Sequence, residues 1–291
     1  MGSGKTKPLT RCNHSLVHGI PPRSVRPVTT RLVIVGGGNM GAALLGGLIA
    51  SGWADAADLA VVEVVESRRN ELSQEFDGVT VAASTPACDA VVIAVKPPDA
   101  PNAVTAAVAA GARQVLSIAA GVSVATLERA AGDGVAVVRA MPNTPALVGK
   151  GAAAIAGGSS TSATDLDWAE GILTAVGTVV RVPEHQLDAV TGLAGSGPAY
   201  VFMVAEALID AGVLAGLSRT TAEELVTQLL VGSGALLAAR GDAASLRAMV
   251  TSPGGTTAAG LRVLEENGLR SALIEAVMSA TQRSRELGAP A

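Results

Sequence analysis

Along the chain the apolar positions change rhythm near residue 184. Before it, apolar runs of strand length alternate with longer stretches of helical spacing; after it, helical spacing dominates. The strand-length runs are Leu32 to Val35, "DLAVVE" (58–63), "DAVVIAVKP" (89–97), "QVLSIAAGV" (114–122), "VAVVRAMPN" (135–143), "GAAAIAGG" (151–158) and "VGTVVRVPE" (176–184). Helices fit between most of them, which predicts an α/β domain over 31–183 with a Rossmann-type, doubly wound, mainly parallel sheet. Its ligands belong at the carboxyl ends of the strands. The later pattern predicts helices at 198–214, 218–239, 242–250, 253–266 and 268–287, an all-helical domain over 184–291. These helices carry more apolar surface than one small bundle can hide, so they are expected to form a dimerisation domain. Packing within one chain is the alternative.

A window over residues 32–54 contains no charge and has the length of a membrane span. Gly36, Gly37 and Gly38 divide it into a β-branched run and an alanine and leucine helix, so it reads as strand, turn and helix, with no membrane partner. Residues 1–30 hold prolines, polar and basic residues without the apolar core of a signal peptide, and are expected to be a flexible extension. Within them "GSGKT" (2–6) imitates the end of a phosphate-binding loop but lacks the earlier glycine and the preceding strand.

Composition narrows the function. Of the 291 residues 49% are apolar but only 2% aromatic, so the core is built from Ala, Val, Leu and Gly. A net charge of −4 with scattered basic residues excludes nucleic acid as a partner. Cys12 and Cys88 form neither a disulfide framework nor a metal-ligand spacing, so the expectation is no metal and a reducing, cytoplasmic setting. His14 and His18 fall in the extension, leaving His185 as the histidine of the folded body.

The strand Leu32 to Val35 runs into Gly36, Gly38 and Gly41, spaced G-x-G-x-x-G, and then into a helix. In this context Gly36 allows the tight turn, Gly38 lets the backbone approach a pyrophosphate and Gly41 packs the helix on the strand. The free N–H groups of the helix end then meet phosphate charge. Glu63 ends the second strand about 20 residues on, where a carboxylate accepts from the ribose of NAD; Arg68 and Arg69 pull towards the 2′-phosphate of NADP. The pattern therefore leaves NADPH or NADH open. Lys96-Pro97 and Pro142-Asn143 also end strands, where backbone carbonyls and the Asn143 amide could meet the nicotinamide ribose; ordinary turns are the alternative.

A second candidate site lies in "VTSPGGTTAAGL" (250–261). With Ser252 as N-cap and Pro253 at the first helical position, Gly254 and Gly255 would fall in the first turn of a helix at 253–266. Glycines there uncover the N–H groups at the positive helix end, which can hold a small carboxylate, with the Thr256 and Thr257 hydroxyls beside it.

The motifs "VIVGGGNMG", "AVKP", "RAMPNTPA", "DAVTGLAGSGPAY" and above all "VTSPGGTTAAGL" resemble those of the pyrroline-5-carboxylate reductases, in order and approximate spacing, over nearly all of residues 31–287. The resemblance implies hydride transfer from NADPH or NADH to the cyclic imine 1-pyrroline-5-carboxylate, giving L-proline as the last step of proline biosynthesis. It implies that Val35, Gly36, Gly37, Gly38, Asn39, Met40, Ala94, Val95, Lys96 and Ala120 line the cofactor. Glu184 and Ser252 to Thr257 face the substrate, with Thr257 catalytic through a hydrogen bond to the ring nitrogen. It also implies an intertwined dimer, some members assembling into rings of dimers, with substrate between one chain's nucleotide domain and the partner's helices. The chain departs from the family at Ala248 and Met249, where relatives carry an acidic residue followed by a polar one, and around Arg240 to Asp242, which is shortened.

Few titratable groups suit such chemistry, because an iminium is already electrophilic and needs orientation more than a strong acid. Tyr200 is a candidate proton donor, against packing between helices. A hydroxyacid dehydrogenase would use a lysine or histidine in its second domain, yet no lysine follows Lys150 and only His185 could substitute. A nucleotide-sensing module would explain the first glycine cluster but not the second.

Overall fold

The computed structural model describes Met1 and residues 30–288. Most of the expected extension, with "GSGKT", Cys12, His14 and His18, lies outside the described residues. The nucleotide half opens with β1 (Leu32–Val35), α1 (Asn39–Ala50), β2 (Leu59–Val62), α2 (Glu66–Glu75), β3 (Thr80–Ala82) and β4 (Ala90–Ile93). It continues through α3 (Ala100–Ala109), β5 (Gln114–Ser117), α4 (Val124–Ala131), β6 (Ala136–Met141), β7 (Gly151–Gly157), α5 (Ala163–Thr174) and β8 (Gly177–Arg181). The strands form one eight-stranded sheet in the order β3-β2-β1-β4-β5-β6-β7-β8. All neighbours are parallel except β6 and β7, so β7 and β8 run opposite to the rest.

Burial explains why the strands read as continuous apolar runs, since both sheet faces are covered. Leu32 and Ile34 point into one layer with Leu44, Leu45 and Leu48 of α1 and Ile172 of α5. Val33 and Val35 point into the other, with Val104 of α3 and Leu127 of α4. Each fully buried leucine contributes on the order of 1.5–3 kcal/mol. The expected strands at 89–97 and 114–122 end early, at Ile93 and Ser117, and their last residues form the loops that lead into the next helices at the carboxyl edge of the sheet.

After β8 the chain is helical: α6 (Leu187–Val190), a π-helical segment (Thr191–Gly195), α7 (Gly197–Leu214), α8 (Arg219–Arg240), α9 (Ala243–Met249), α10 (Thr256–Glu266) and α11 (Leu269–Gly288). Among the described residues beyond Leu187, Ala222 and Val226 are the only buried hydrophobics. Phe202, Met203, Leu229 and Ile274 stand 62, 71, 52 and 64% exposed. The segments Glu184–Leu214 and Arg219–Arg240 are long and apolar enough, by length and composition, to cross a membrane. The charge-free stretch at 32–54, in contrast, resolves into strand, turn and helix as its glycines require.

Candidate active site

The switch point of the sheet lies between β1 and β4, whose carboxyl ends carry the first glycine cluster and the loop Ala94–Pro97. Gly36 has φ 111°, and a Cβ there would collide with the Ala94 carbonyl oxygen and come 2.7 Å from its carbon. A Cβ on Gly41 would run into the Gly36 carbonyl oxygen and lie 3.3 Å from Ile34 Cγ2. Gly38 has nothing within 4 Å of a built Cβ, and it caps α1 without any side-chain hydrogen bond. The N–H groups of the first turn, including Asn39 and Met40, therefore face an open approach. This cradle fits a dinucleotide pyrophosphate: closed where helix meets strand, and open where phosphate would lie.

Around it the side chains are held by the backbone. Glu63 Oε2 accepts from the Gly37 N–H (3.1 Å), and its Oε1 from the Val65 N–H (2.9 Å). Arg68 Nε donates to the Gly37 carbonyl (2.8 Å), and Arg69 Nη1 to the carbonyls of Glu63 (3.0 Å) and Val64 (2.8 Å). Lys96 precedes a single 3-10 turn at Pro97–Asp99. Asn143, just after β6, spans the two domains with its side-chain amide. Its Nδ2 donates to Ala194 O (3.0 Å), and its Oδ1 accepts from Ala152 N (2.8 Å).

A cleft of about 500 Å³ opens beside the loops after β4 and β5. Pro97 and Ala120, both expected at the cofactor, line it together with Thr191, Ser196 and Ser284. None of those three is an expected site residue: Thr191 and Ser196 fall in the glycine-spaced "TGLAGSG", and Ser284 on α11 carries no local signal. A Cβ on Gly192 would stand 2.6 Å from Val277 O and 2.9 Å from Thr281 N, so the π-helical segment packs directly on α11. Tyr200 donates its hydroxyl to Gly192 O (3.2 Å), which is the packing alternative for that residue.

Glu184 stands in an adjoining cleft of about 300 Å³ with Ser123, Arg139, His185, Asp188 and Arg285. Its Oε1 accepts from Arg139 Nη1 (3.1 Å) and from the N–H of Val124 (2.7 Å), at the positive end of α4. The Glu184 contacts thus tie the start of the helical half to the sheet, while close by Ser284 of α11 donates to Asp188 of α6 (2.7 Å) within the helical half. Cys88 takes no part in either cleft: burial, reinforced by Asp89, raises its thiol to about 11.

The second glycine cluster differs from its expected form. The helix starts at Thr256, three residues later than expected, and its N-cap is Gly255, not Ser252. Gly254 has φ 69°, and a Cβ on Gly255 would collide with Ser252 Oγ and lie 3.2 Å from Ser252 O. The two glycines thus make the tight turn that closes with Gly255 N–H to Ser252 O (3.0 Å), which left-handed backbone and absent side chains permit. No side chain caps α10, so the N–H groups of Thr256 and Thr257 are presented at its positive end. The clefts beside the nucleotide strands draw no lining from 252–257.

Comparison with known proteins covers both halves. A family model for pyrroline-5-carboxylate reductase dimerisation matches residues 184–287, and one for NADP oxidoreductase, coenzyme F420-dependent, matches 31–121. The pyrroline-5-carboxylate reductase of Mycobacterium tuberculosis is 43% identical over 285 residues, covering 88% of this chain and 96% of that protein. That of a Synechocystis strain is 43% identical over 267 residues, covering 90% and 99%. Among solved structures, a pyrroline-5-carboxylate reductase from Coxiella burnetii superposes with a TM-score of 0.83 at 34% identity, covering 90% of this chain and all of that one. A Plasmodium falciparum pyrroline carboxylate reductase with NADP bound gives 0.78 at 30%, covering 89% and 98%. The dimerisation match falls on the helices with the exposed apolar faces, which supports self-association through this domain. With both domains matched in order and relatives aligned along most of its length, the chain belongs to the pyrroline-5-carboxylate reductase family.

Proposed function

We propose that the Gly36–Gly41 cradle and the uncapped start of α10 are the two halves of one active site, which reduces 1-pyrroline-5-carboxylate to L-proline with NADPH or NADH. The turn at 252–257 carries this reading. Without lysine or arginine, it offers backbone N–H groups at a helix end to a small carboxylate. Bound at the cradle, the reduced nicotinamide supplies the hydride. The chain's own residues supply orientation.

Val35 to Gly41 hold the nucleotide through backbone groups, and Ala94 to Pro97 with Ala120 border its reactive end. Ser252, Gly254, Gly255 and Thr256 seat the carboxylate, and the Thr257 hydroxyl meets the ring nitrogen. Such a clamp fixes the imine carbon relative to the donor, which is the main requirement of an already electrophilic substrate. Glu184 acts one step removed, by holding Arg139 and the start of α4 beside the cleft.

Because 252–257 lines none of the clefts beside the nucleotide strands, the site is completed between one chain's nucleotide domain and the helices of a second copy. Further assembly into a ring of dimers and residence in the cytoplasm belong to the same reading, the latter supported by the free, buried Cys88. Purified protein mixed with the imine and either reduced cofactor should lose nicotinamide absorbance. No loss with either one refutes the assignment.

A further inference from the structure

We infer that this chain selects NADH over NADPH, and that Glu63 is the residue that makes the selection. The inference rests on the nucleotide cradle proposed above and goes beyond it by naming the cofactor. Glu63 ends the second strand of a doubly wound sheet, where the adenosine ribose presents its 2′-hydroxyl. Its carboxylate is aimed in advance by two backbone donors, Gly37 N–H at 3.1 Å and Val65 N–H at 2.9 Å. Gly37 lies inside the cradle itself, so the acceptor and the pyrophosphate seat are fixed as one unit.

A 2′-phosphate at that position carries about −1.5 to −2 charge at neutral pH. It would face the carboxylate instead of donating to it, and like charges brought together at a binding surface reject the wrong partner. Both nearby cations are anchored by protein partners. Arg68 spends Nε on Gly37 O and Nη1 on Glu71 (2.8 Å), and Glu75 lies 4.0 Å from its Nη2. Arg69 spends Nη1 on two carbonyls behind the strand end. Glu63 and the Glu66, Glu71 and Glu75 of α2 outnumber these two guanidinium groups, leaving the neighbourhood net negative. The Plasmodium falciparum relative has NADP bound, so the inference separates this chain from that one.

The test is equilibrium binding of NADH and of NADPH by calorimetry on the full chain, without imine. The expected result is NADH tighter by about tenfold or more, or about 1.4 kcal/mol. In Glu63→Gln the charge is lost while the size is kept; NADH should weaken, NADPH should strengthen, and the ratio should fall by about tenfold. In Arg69→Ala both cofactors should change alike. The inference is overturned if wild type binds NADPH as tightly as NADH, if Glu63→Gln shifts both by the same factor, or if Arg69→Ala weakens NADPH alone. A reversed preference leaves the reductase assignment standing. Failure of both cofactors to bind removes the two together.

Discussion

Gly41→Ala is the smallest change that probes the cradle. The added methyl would sit more than an ångström inside contact with the Gly36 carbonyl oxygen, 3.1 Å from its carbon and 3.3 Å from Ile34 Cγ2. Neither neighbour can yield cheaply. Ile34 is fully buried, and Gly36 is itself wedged against the Ala94 backbone with φ 111°. Either α1 lifts off the strand or the turn is displaced, an overpacking cost of about 1–3 kcal/mol. Alanine returns about 1 kcal/mol of helix propensity, so the net loss of stability is about 0–2 kcal/mol and Tm falls by a few degrees. Cofactor binding feels the displacement without that offset, because the N–H groups of Asn39 and Met40 move with the helix. Misplacing one charge-assisted hydrogen bond to phosphate costs about 1.5–3 kcal/mol, or at least about tenfold in Kd. Calorimetric titration with NADH or NADPH, beside thermal unfolding followed by circular dichroism, separates the two effects. A variant that binds within twofold of wild type would refute the account of why glycine stands at this position.

Thr257→Val removes a hydroxyl at nearly constant volume and should lower kcat by about ten- to a hundredfold with cofactor affinity unchanged, on the scale of one hydrogen bond to a charged group; normal turnover would remove Thr257 from the site. Phe202→Asp, placing a charge on an apolar face that is 62% exposed in the single chain, should shift the mass measured by light scattering towards the monomer, and an unchanged mass would place self-association elsewhere. Burial alone would raise the Asp165 carboxyl, but the Ser162 hydroxyl, the Gln114 amide and the Ser162 N–H together hold it below its ordinary value. A depressed pKa means the contribution to stability is present above the unfolded carboxylate pKa and is lost as pH falls through the folded one. Asp165→Asn should therefore lower Tm at neutral pH and flatten its acid dependence, as read from melting curves between about pH 7 and pH 3; parallel curves would refute the coupling.

The sheet and both glycine clusters were legible because their signals are local. A four-residue apolar strand followed by G-x-G-x-x-G needs no distant partner to be recognised. Thr80–Ala82 went unread, since three half-exposed residues at a sheet edge carry neither alternation nor a buried run. The start of α10 was misplaced for a definite reason: Ser252 and Pro253 are good first-turn residues, but the left-handed Gly254 breaks the helix between them and Thr256. Thr191, Ser196 and Ser284 reach the cleft through the packing of α11 on a π-helical segment, a contact between residues far apart in the chain that no local periodicity encodes. The Asn143 amide bridges Ala194 and Ala152. A strand-end amide looks the same in sequence whether it faces a ligand or bridges two domains.

The register of the last two strands has a mechanical result. β8 ends at Arg181, level with Ala140 near the carboxyl end of β6, so the run from Glu184 to Leu214 starts beside the clefts at that edge and projects outward from them. Those 31 residues make a rod of roughly 45 Å whose near end borders the cleft lined by Thr191 and Ser196 and which carries exposed apolar residues such as Phe202 and Met203. If the proposed site is completed by a second copy, one stiff rod joins the pairing surface to the cleft, and weakened pairing is expected to lower turnover before it lowers thermal stability.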